Sequence, residues 1–293
     1  MPETRILITG AQGQLGCALR SVLPPETLIL KDLPEFDLTA ASCEEQIVQA
    51  RPHVVVHAAA YTNVDGAERE PDRARAVNVE GTAAVARAAQ RVGGRLIYIS
   101  TDYVFDGAKD TPYTEEDPTN PLNMYGRSKR DGEAAAAEHC EDCLVVRTAW
   151  LYGHGGKNFV KTIMQLAGER PVLEVVADQR GCPTFADDLA RALVDLIPSR
   201  LTGICHVTNS GSSTWYEFAD TIVRLIGSAT VVRPIPTTQS QRPATRPPYS
   251  VLAYGRLGLV RAPLPDWRDA LDRFTRQIRS SASTIPSSGA APV

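Results

Sequence analysis

The sequence predicts an α/β protein built on a doubly wound parallel sheet, with a smaller α+β unit towards the C-terminus. Short apolar runs alternate with helical patterns through the first half, a glycine-spaced turn follows the first run, and the alternation becomes irregular after residue 153. Strands covered by helices on both faces read as continuous apolar runs. Such runs are RILIT (5–9), TLILKDL (27–33), HVVVHAAA (53–60), RLIYIS (95–100) and the strand within CLVVRTAWLYG (143–153). Between them lie the helical patterns GQLGCALRSVL, CEEQIVQA, PDRARAVNVEGTAAVARAAQRVG and the Ala-rich segment that starts at Tyr125. Right-handed crossovers then wind these helices onto both faces. Beyond residue 153, helical patterns at 158–169, 186–197 and 215–227 mix with the short strand candidates LEVVA and CHVT. RPIPTTQSQRPATRPP is expected as an ordered loop. The last residues, SSASTIPSSGAAPV, lack apolar periodicity, and a disordered tail is expected at 281–293.

Composition removes several function classes. The 293 residues carry a formal net charge of −3 with a pI near 6.0. No basic stripe is present, so nucleic acid is not an expected partner. No apolar run approaches the ~20 residues that span a bilayer. MPETRILITG enters a strand pattern directly, without a secretory signal, so a cytoplasmic location is expected. Six scattered cysteines suit reduced thiols better than a disulfide framework. Cys140 and Cys143 form a C-x-x-C beside His139, but no second pair stands at zinc-finger spacing.

The first strand runs into TGAQGQLG, where Gly10, Gly13 and Gly16 stand three apart. Glycine tolerates the positive φ of a tight turn and lets a pyrophosphate approach the backbone. The helix that follows offers free N–H groups and a partial positive charge. Elsewhere such glycines would mark only a turn; between a first strand and a helix they predict a Rossmann-type dinucleotide site. Residues 1–153 are therefore read as a dinucleotide-binding domain, rejoined by about 184–200, and 154–280 as a substrate domain. The second strand ends KDLPEFDLT. An acid there binds the ribose hydroxyls of NAD, and a base favours the phosphate of NADP. Lys31 and Asp32 are adjacent, so both cofactors stay open, with NADPH slightly preferred for a reduction. Asp37 and Leu38 are placed to flank the adenine, although a packed leucine at a helix start reads the same way.

The fourth strand ends in STDYVFDG, with Ser100, Thr101 and Asp102 at the carboxyl edge, where open α/β sheets bind ligands. Soon after comes YGRSK, a Tyr125-x-x-x-Lys129 pair one helical turn apart. That spacing alone is ordinary amphipathy. Beside a glycine loop and a strand-end hydroxyl it describes a hydride-transfer site. Reducing a ketone puts hydride on carbon and a proton on oxygen. Free tyrosine has a pKa near ~10 and yields its proton sluggishly. An ammonium at ~4 Å, with an effective dielectric of ~20, favours phenolate by about 4 kcal/mol, roughly three pKa units. Tyr125 is thus expected to titrate close to pH ~7. The same Lys129 can hydrogen-bond the nicotinamide ribose, and Thr101 would hold the carbonyl oxygen.

The segments TGAQGQLG, VVHAAAYTNVDGAE, AVNVEGT, YISTDYVFDG, YGRSKRDGE, VVRTAWLYG, NFVKTI and VVADQRGCPT resemble the extended short-chain dehydrogenase/reductases, and within them the dTDP-4-dehydrorhamnose reductases. The resemblance implies a two-domain enzyme that uses NADPH or NADH to reduce the 4-keto group of dTDP-4-dehydro-β-L-rhamnose, giving dTDP-L-rhamnose. It assigns catalysis to Thr101, Tyr125 and Lys129. Gly10, Gly13, Gln14, Leu15 and Gly16 fall in the cofactor loop. Lys31, Asp37, Leu38, Ala58, Ala59, Ala60, Tyr61 and Thr62 fall in further cofactor-contact segments, with Tyr125 and Lys129. Thr62, Val64, Asp102 and Trp150 match sugar-site positions beside Thr101 and Tyr125. Asn158 and Lys161 are placed to meet the nucleotide diphosphate.

Two positions depart from the pattern. Some relatives hold Mg²⁺ at a dimer interface through glutamates, one of them two residues after the third glycine. Here that position is Ala18, and Asp187 alone would bind the ion weakly. Mg²⁺ is therefore not expected, and the implied state is a monomer or a homodimer not bridged by metal. The late segment RPPYSVLA carries Ala253 where relatives have Asp or Asn. Two rivals share these motifs: a related reductase of another nucleotide 4-keto-sugar, and the regulatory subunit of methionine adenosyltransferase, which acts by binding its partner enzyme. Trp150 and DQRGCPT favour the reductase over the latter.

Overall fold

The computed structural model describes residues 4–283. The first half alternates strand and helix: β1 Ile6–Thr9, α1 Gln14–Val22, β2 Leu28–Lys31, α2 Cys43–Ala50 and β3 Val54–His57. Then come α3 Val64–Arg69, α4 Pro71–Arg75, a π-helical turn Ala76–Glu80, α5 Gly81–Arg91, β4 Arg95–Thr101, α6 Met124–His139 and β5 Cys143–Thr148. A sixth strand, Gly203–His206, completes one parallel sheet in the order Gly203–His206, β5, β4, β3, β1, β2. The α/β doubly wound fold is thus the one expected. The chain leaves β1 for β2 on one side and returns to β3 on the other. The crevice at the carboxyl ends of β1 and β3 is the switch point where such sheets bind ligands.

Alternation along each strand explains the continuous apolar runs. Ile6 and Ile8 point into a core with Leu15 and Leu19 of α1 and with Leu189 and Leu193 of α8 (Ala186–Leu196). Leu7 points the other way, into a core with Ile47 of α2, Val85 of α5 and Ala136 of α6. Both faces of the inner strands are covered, so their runs are mostly apolar, with polar residues such as His57, Ser100 and Arg147 buried in hydrogen bonds.

Three features differ from the sequence expectation. The helix expected over 71–93 contains the π turn Ala76–Glu80, whose wider turn re-aims the residues it carries. That turn aims buried Asn78 at the loop after β3: Asn78 accepts from Tyr61 N (2.8 Å) and donates to Ser128 Oγ (2.9 Å). Second, the segment expected as loop from residue 233 begins inside a strand, Val231–Ile235, that pairs parallel with Val172–Val176. Pro234 is tolerated because this strand has a neighbour on one side only. Third, α3 and the C-terminal helix α10 (Trp267–Ser283) lie outside the expected pattern. The rest of the expected tail lies outside the described residues.

A smaller aromatic core gathers Tyr152, Phe185, Phe218 of α9 (Trp215–Leu225), and Trp267 and Phe274 of α10. It abuts the carboxyl edge of the main sheet through Trp150, just past β5. No helix among the described residues is long and apolar enough to cross a membrane.

Candidate active site

The glycine turn is shaped by close approach. Gly10 has φ +69°, and a Cβ there would stand 2.8 Å from Ala59 N. A Cβ on Gly16 would run into Gly10 O, so α1 could not pack against the turn. The first turn of α1 carries no acidic residue, and its N-cap Gly13 supplies no side-chain cap. Gln14 Oε1 is buried with no hydrogen-bond partner among the described residues. Uncapped N–H groups and a glycine cradle together fit a dinucleotide pyrophosphate.

From this turn a cleft of about 720 Å³ runs across the carboxyl edge of the sheet. Its walls bring together Gly10, Gly13, Gln14, Leu15 and Gly16 with Asp37, Leu38, Ala58, Ala59 and Ala60. Thr62, Val64, Thr101, Asp102, Tyr125, Lys129 and Trp150 line the same cleft. Four expected residues are directed elsewhere. Lys31 Nζ donates to Gln46 Oε1 (3.1 Å) and lies over the Phe36 ring. Tyr61 OH donates to Glu70 Oε2 (2.7 Å). Asn158 caps α7 (Phe159–Glu169) by accepting from Lys161 N, and donates to Gly153 O. Lys161 Nζ donates to His154 O (2.5 Å) and Gly156 O (3.2 Å). Asn158 and Lys161 therefore shape the loop 153–157, and Lys157 of that loop lines the cleft wall.

At the centre, β4 delivers Thr101 and α6 delivers Tyr125 and Lys129. Asn123 caps α6 by accepting from Gly126 N (2.8 Å), which fixes where the helix begins and so where Tyr125 stands. Thr101 Oγ1 donates to Asp102 Oδ1 (3.0 Å) and accepts from Tyr103 N (3.2 Å). Asp102 is held on its other oxygen by Ser250 Oγ (2.5 Å), from the RPPYSVLA segment. Burial pushes the Asp102 carboxyl up to about 7, against these hydrogen bonds.

The electrostatics of Tyr125 differ from expectation. Burial pushes its phenol up to about 12; the Thr101 hydroxyl draws it down and the Asp102 charge adds to the rise. Lys129 does not figure among the charges acting on it. Burial brings the Lys129 ammonium down to about 7, opposed by Glu133. Lys129 Nζ lies 4.0 Å from the centre of the Tyr98 ring. Desolvation outweighs the through-space help that a Coulomb estimate in a uniform medium allows. Tyr125 is therefore a protonated phenol at neutral pH, a donor rather than a phenolate.

The end of the cleft beyond β5 is aromatic. Trp150 adopts φ +47°, a left-handed backbone rare for a bulky residue. It stacks flat on Trp215, with ring centroids 3.5 Å apart and planes 4° apart. Gly181 leaves room behind it: a Cβ there would collide with the indole. Trp215, Ser250 and Lys157 line or support the cleft and are not singled out from sequence; Ser250 lies in RPPYSVLA, whereas nothing in the local sequence marks Trp215 or Lys157. Among the described residues no group of three or more His, Cys, Asp or Glu is arranged to hold a metal. Ala18 is buried on α1, and burial raises the Asp187 carboxyl.

The model of the RmlD substrate binding domain family matches residues 4–280. The chain is 42% identical to dTDP-4-dehydrorhamnose reductase of Burkholderia thailandensis, over 94% of this chain and 99% of that one. It is 42% identical to a probable dTDP-4,6-dihydroxy-2-methyloxan-3-one 4-ketoreductase of Streptomyces antibioticus, over 91% and 93% of the two chains. Among solved structures it resembles dTDP-4-dehydrorhamnose reductase of Bacillus anthracis in complex with NADP, with a TM-score of 0.91, 43% identity, and 94% and 99% of the chains covered. By its sequence and its fold alike, the chain belongs to the dTDP-4-dehydrorhamnose reductase family.

Proposed function

We propose that the chain reduces the 4-keto group of dTDP-4-dehydro-β-L-rhamnose to give dTDP-L-rhamnose, using NADH or NADPH. The observation that carries this reading is the meeting of Thr101, Tyr125 and Lys129 with the glycine cradle in one cleft. When bound, the nicotinamide supplies the hydride. Tyr125 holds the proton that the substrate oxygen needs; its high pKa keeps that proton in place until an oxyanion, a stronger base, develops beside it. Lys129, while charged, is placed to hydrogen-bond the nicotinamide ribose and so hold the hydride donor against the substrate. Thr101 stands beside Tyr125 to orient the carbonyl oxygen, and Asp102 and Ser250 hold that edge in place. Trp150 and Trp215 offer a flat apolar wall to the sugar ring, and Lys157 takes the diphosphate role that spacing suggested for Lys161. Ala18 offers no oxygen to a bridging Mg²⁺, so a dimer would not be joined by metal at that position.

Cofactor choice turns on Asp32. Its carboxylate lines the cleft and is fixed by Gln12 N (2.6 Å) and Leu33 N (2.8 Å), whereas Lys31 is turned away. A fixed carboxylate accepts from ribose hydroxyls and repels a ribose phosphate. This favours NADH, against the preference read from sequence, with both cofactors accepted. Asp32→Ala is expected to raise the NADPH-to-NADH ratio of kcat/KM by about ten-fold, the worth of ~1.4 kcal/mol. Paired initial-rate assays check it, and an unmoved ratio rejects the assignment.

The main test is oxidation of NADH or NADPH, followed by absorbance, with enzymatically made dTDP-4-keto-6-deoxysugar. Turnover is expected, and its absence overturns the reading. The second reading, another nucleotide 4-keto-sugar, is favoured by the likeness to the Streptomyces antibioticus relative. Product configuration at C4, read by NMR, separates the two.

A further inference from the structure

A buried ion pair lies beneath the catalytic lysine. Glu133 follows Lys129 by one helical turn on α6, and both are buried. Glu133 Oε1 accepts from Arg147 Nε (2.9 Å) and Ser100 Oγ (2.5 Å), and Oε2 accepts from Arg147 Nη2 (2.7 Å). Arg147 belongs to β5 and Ser100 to β4, so the carboxylate is bolted to two neighbouring strands. The guanidinium lies over the Phe105 ring, and its Nη1 is buried without a partner among the described residues. A network this fully desolvated is a poor source of stability, since an apolar substitute of similar volume often serves as well. Its position suggests another role.

We infer that Glu133, clamped by Arg147 and Ser100, is the positioning residue that keeps Lys129 charged and aimed into the cleft. The neighbours His57, Tyr98 and Tyr125 carry no negative charge at neutral pH. On β3, His57 is buried between Thr9 and Thr82 and is itself pushed down to about 3 by burial. On β4, Tyr98 offers its ring face, and its hydroxyl donates to Lys129 O (3.4 Å). On α6, Tyr125 is a protonated phenol. Glu133 is the charge that opposes the cost of burying the ammonium, and Arg147 does not figure among the groups acting on Lys129. The clamp explains the geometry: a loose carboxylate one turn away would swing out and pair directly with the amine, drawing it from the cleft.

The inference rests on the catalytic reading of Lys129, so its test is independent of turnover. The lysines are Lys31, Lys109, Lys129, Lys157 and Lys161, few enough to assign their Cε resonances by NMR in the cofactor-free protein. In Glu133→Gln the Lys129 titration is expected to move down by about one pH unit or more, a ten-fold loss of ammonium at a given alkaline pH. Glu133→Asp, which keeps the charge, is expected to recover part of that shift. Glu133→Gln with Arg147→Met removes both charges, so no unpaired charge is left buried; the lowered titration is expected to persist. The alkaline limb of kcat/KM moves with it. A Lys129 titration that returns to the parent value in the double variant shows a merely structural pair and overturns the proposal, as does an unmoved titration in folded Glu133→Gln. If the parent turns over no keto-sugar, the functional reading falls, while the Lys129 titration still decides the role of Glu133.

Discussion

Tyr125→Phe lowers kcat by about a hundred- to ten-thousand-fold, the range that positioned proton donors contribute. It leaves cofactor affinity within about two-fold, because the ring stays in place and only the hydroxyl is lost. The phenol ring packs edge-on against Tyr103, at 6.0 Å between centroids, and that contact survives the change. The hydroxyl lies at the cleft wall, so its loss changes little in the core and the melting temperature is expected to stay close to the parent's. Single-turnover kinetics with keto-sugar, beside a fluorescence titration of NADH, separate the two effects. A variant within a few-fold of the parent rate would show that another group, or water, delivers the proton.

Lys129→Met is the second large effect, and it acts on rate, binding and stability with different signs. Loss of the ammonium frees the nicotinamide ribose and misplaces the hydride donor, and kcat is expected to fall at least about a hundred-fold. Loss of a charge-assisted hydrogen bond to the ribose costs about 1.5–3 kcal/mol, so the cofactor Kd rises roughly ten- to hundred-fold. Normal cofactor affinity would sink the ribose contact. In the parent, Lys129 falls from its ordinary 10.5 to about 7, so the free enzyme loses this charge as pH rises through about 7. An alkaline limb of kcat/KM is expected there, and the variant lacks it. Stability runs the other way. Between about 7 and 10.5 the unfolded chain binds a proton at Lys129 that the folded chain does not. This contribution to stability is therefore present above 10.5 and is lost as pH falls through about 7. Methionine removes the penalty, so the variant is expected to melt higher than the parent at pH ~6, with the gap closing towards alkaline pH. Thermal melts across that range check the sign.

The elements that carry the site were legible where chemistry and local spacing coincide. Five apolar runs became β1 to β5 because strands between two helical layers are mostly apolar on both faces. The glycine trio marked the dinucleotide turn because backbone φ and close approach are properties of glycine itself. Tyr125 and Lys129 were visible because a helix puts i and i+4 on one face. What spacing could not settle was direction. Asn158 and Lys161 share a helical turn, yet both bond back to the loop before α7, and Lys157 faces the cleft instead. Lys31 and Asp32 are neighbours, and only the fold turns one towards the cleft and the other towards Gln46. Trp215 stacks on Trp150 across a long stretch of chain, and Ser250 reaches Asp102 from further still.

The sequence by itself determined the doubly wound sheet, the glycine turn, and the identity of a hydroxyl, a phenol and an amine at one edge. These follow from side-chain type and periodicity, which the chain carries locally. The tertiary structure alone decided the protonation of that set. Desolvation depends on what surrounds a group from every side, so the burial that holds Tyr125 protonated and brings Lys129 down to about 7 exists only once distant strands and helices close around them.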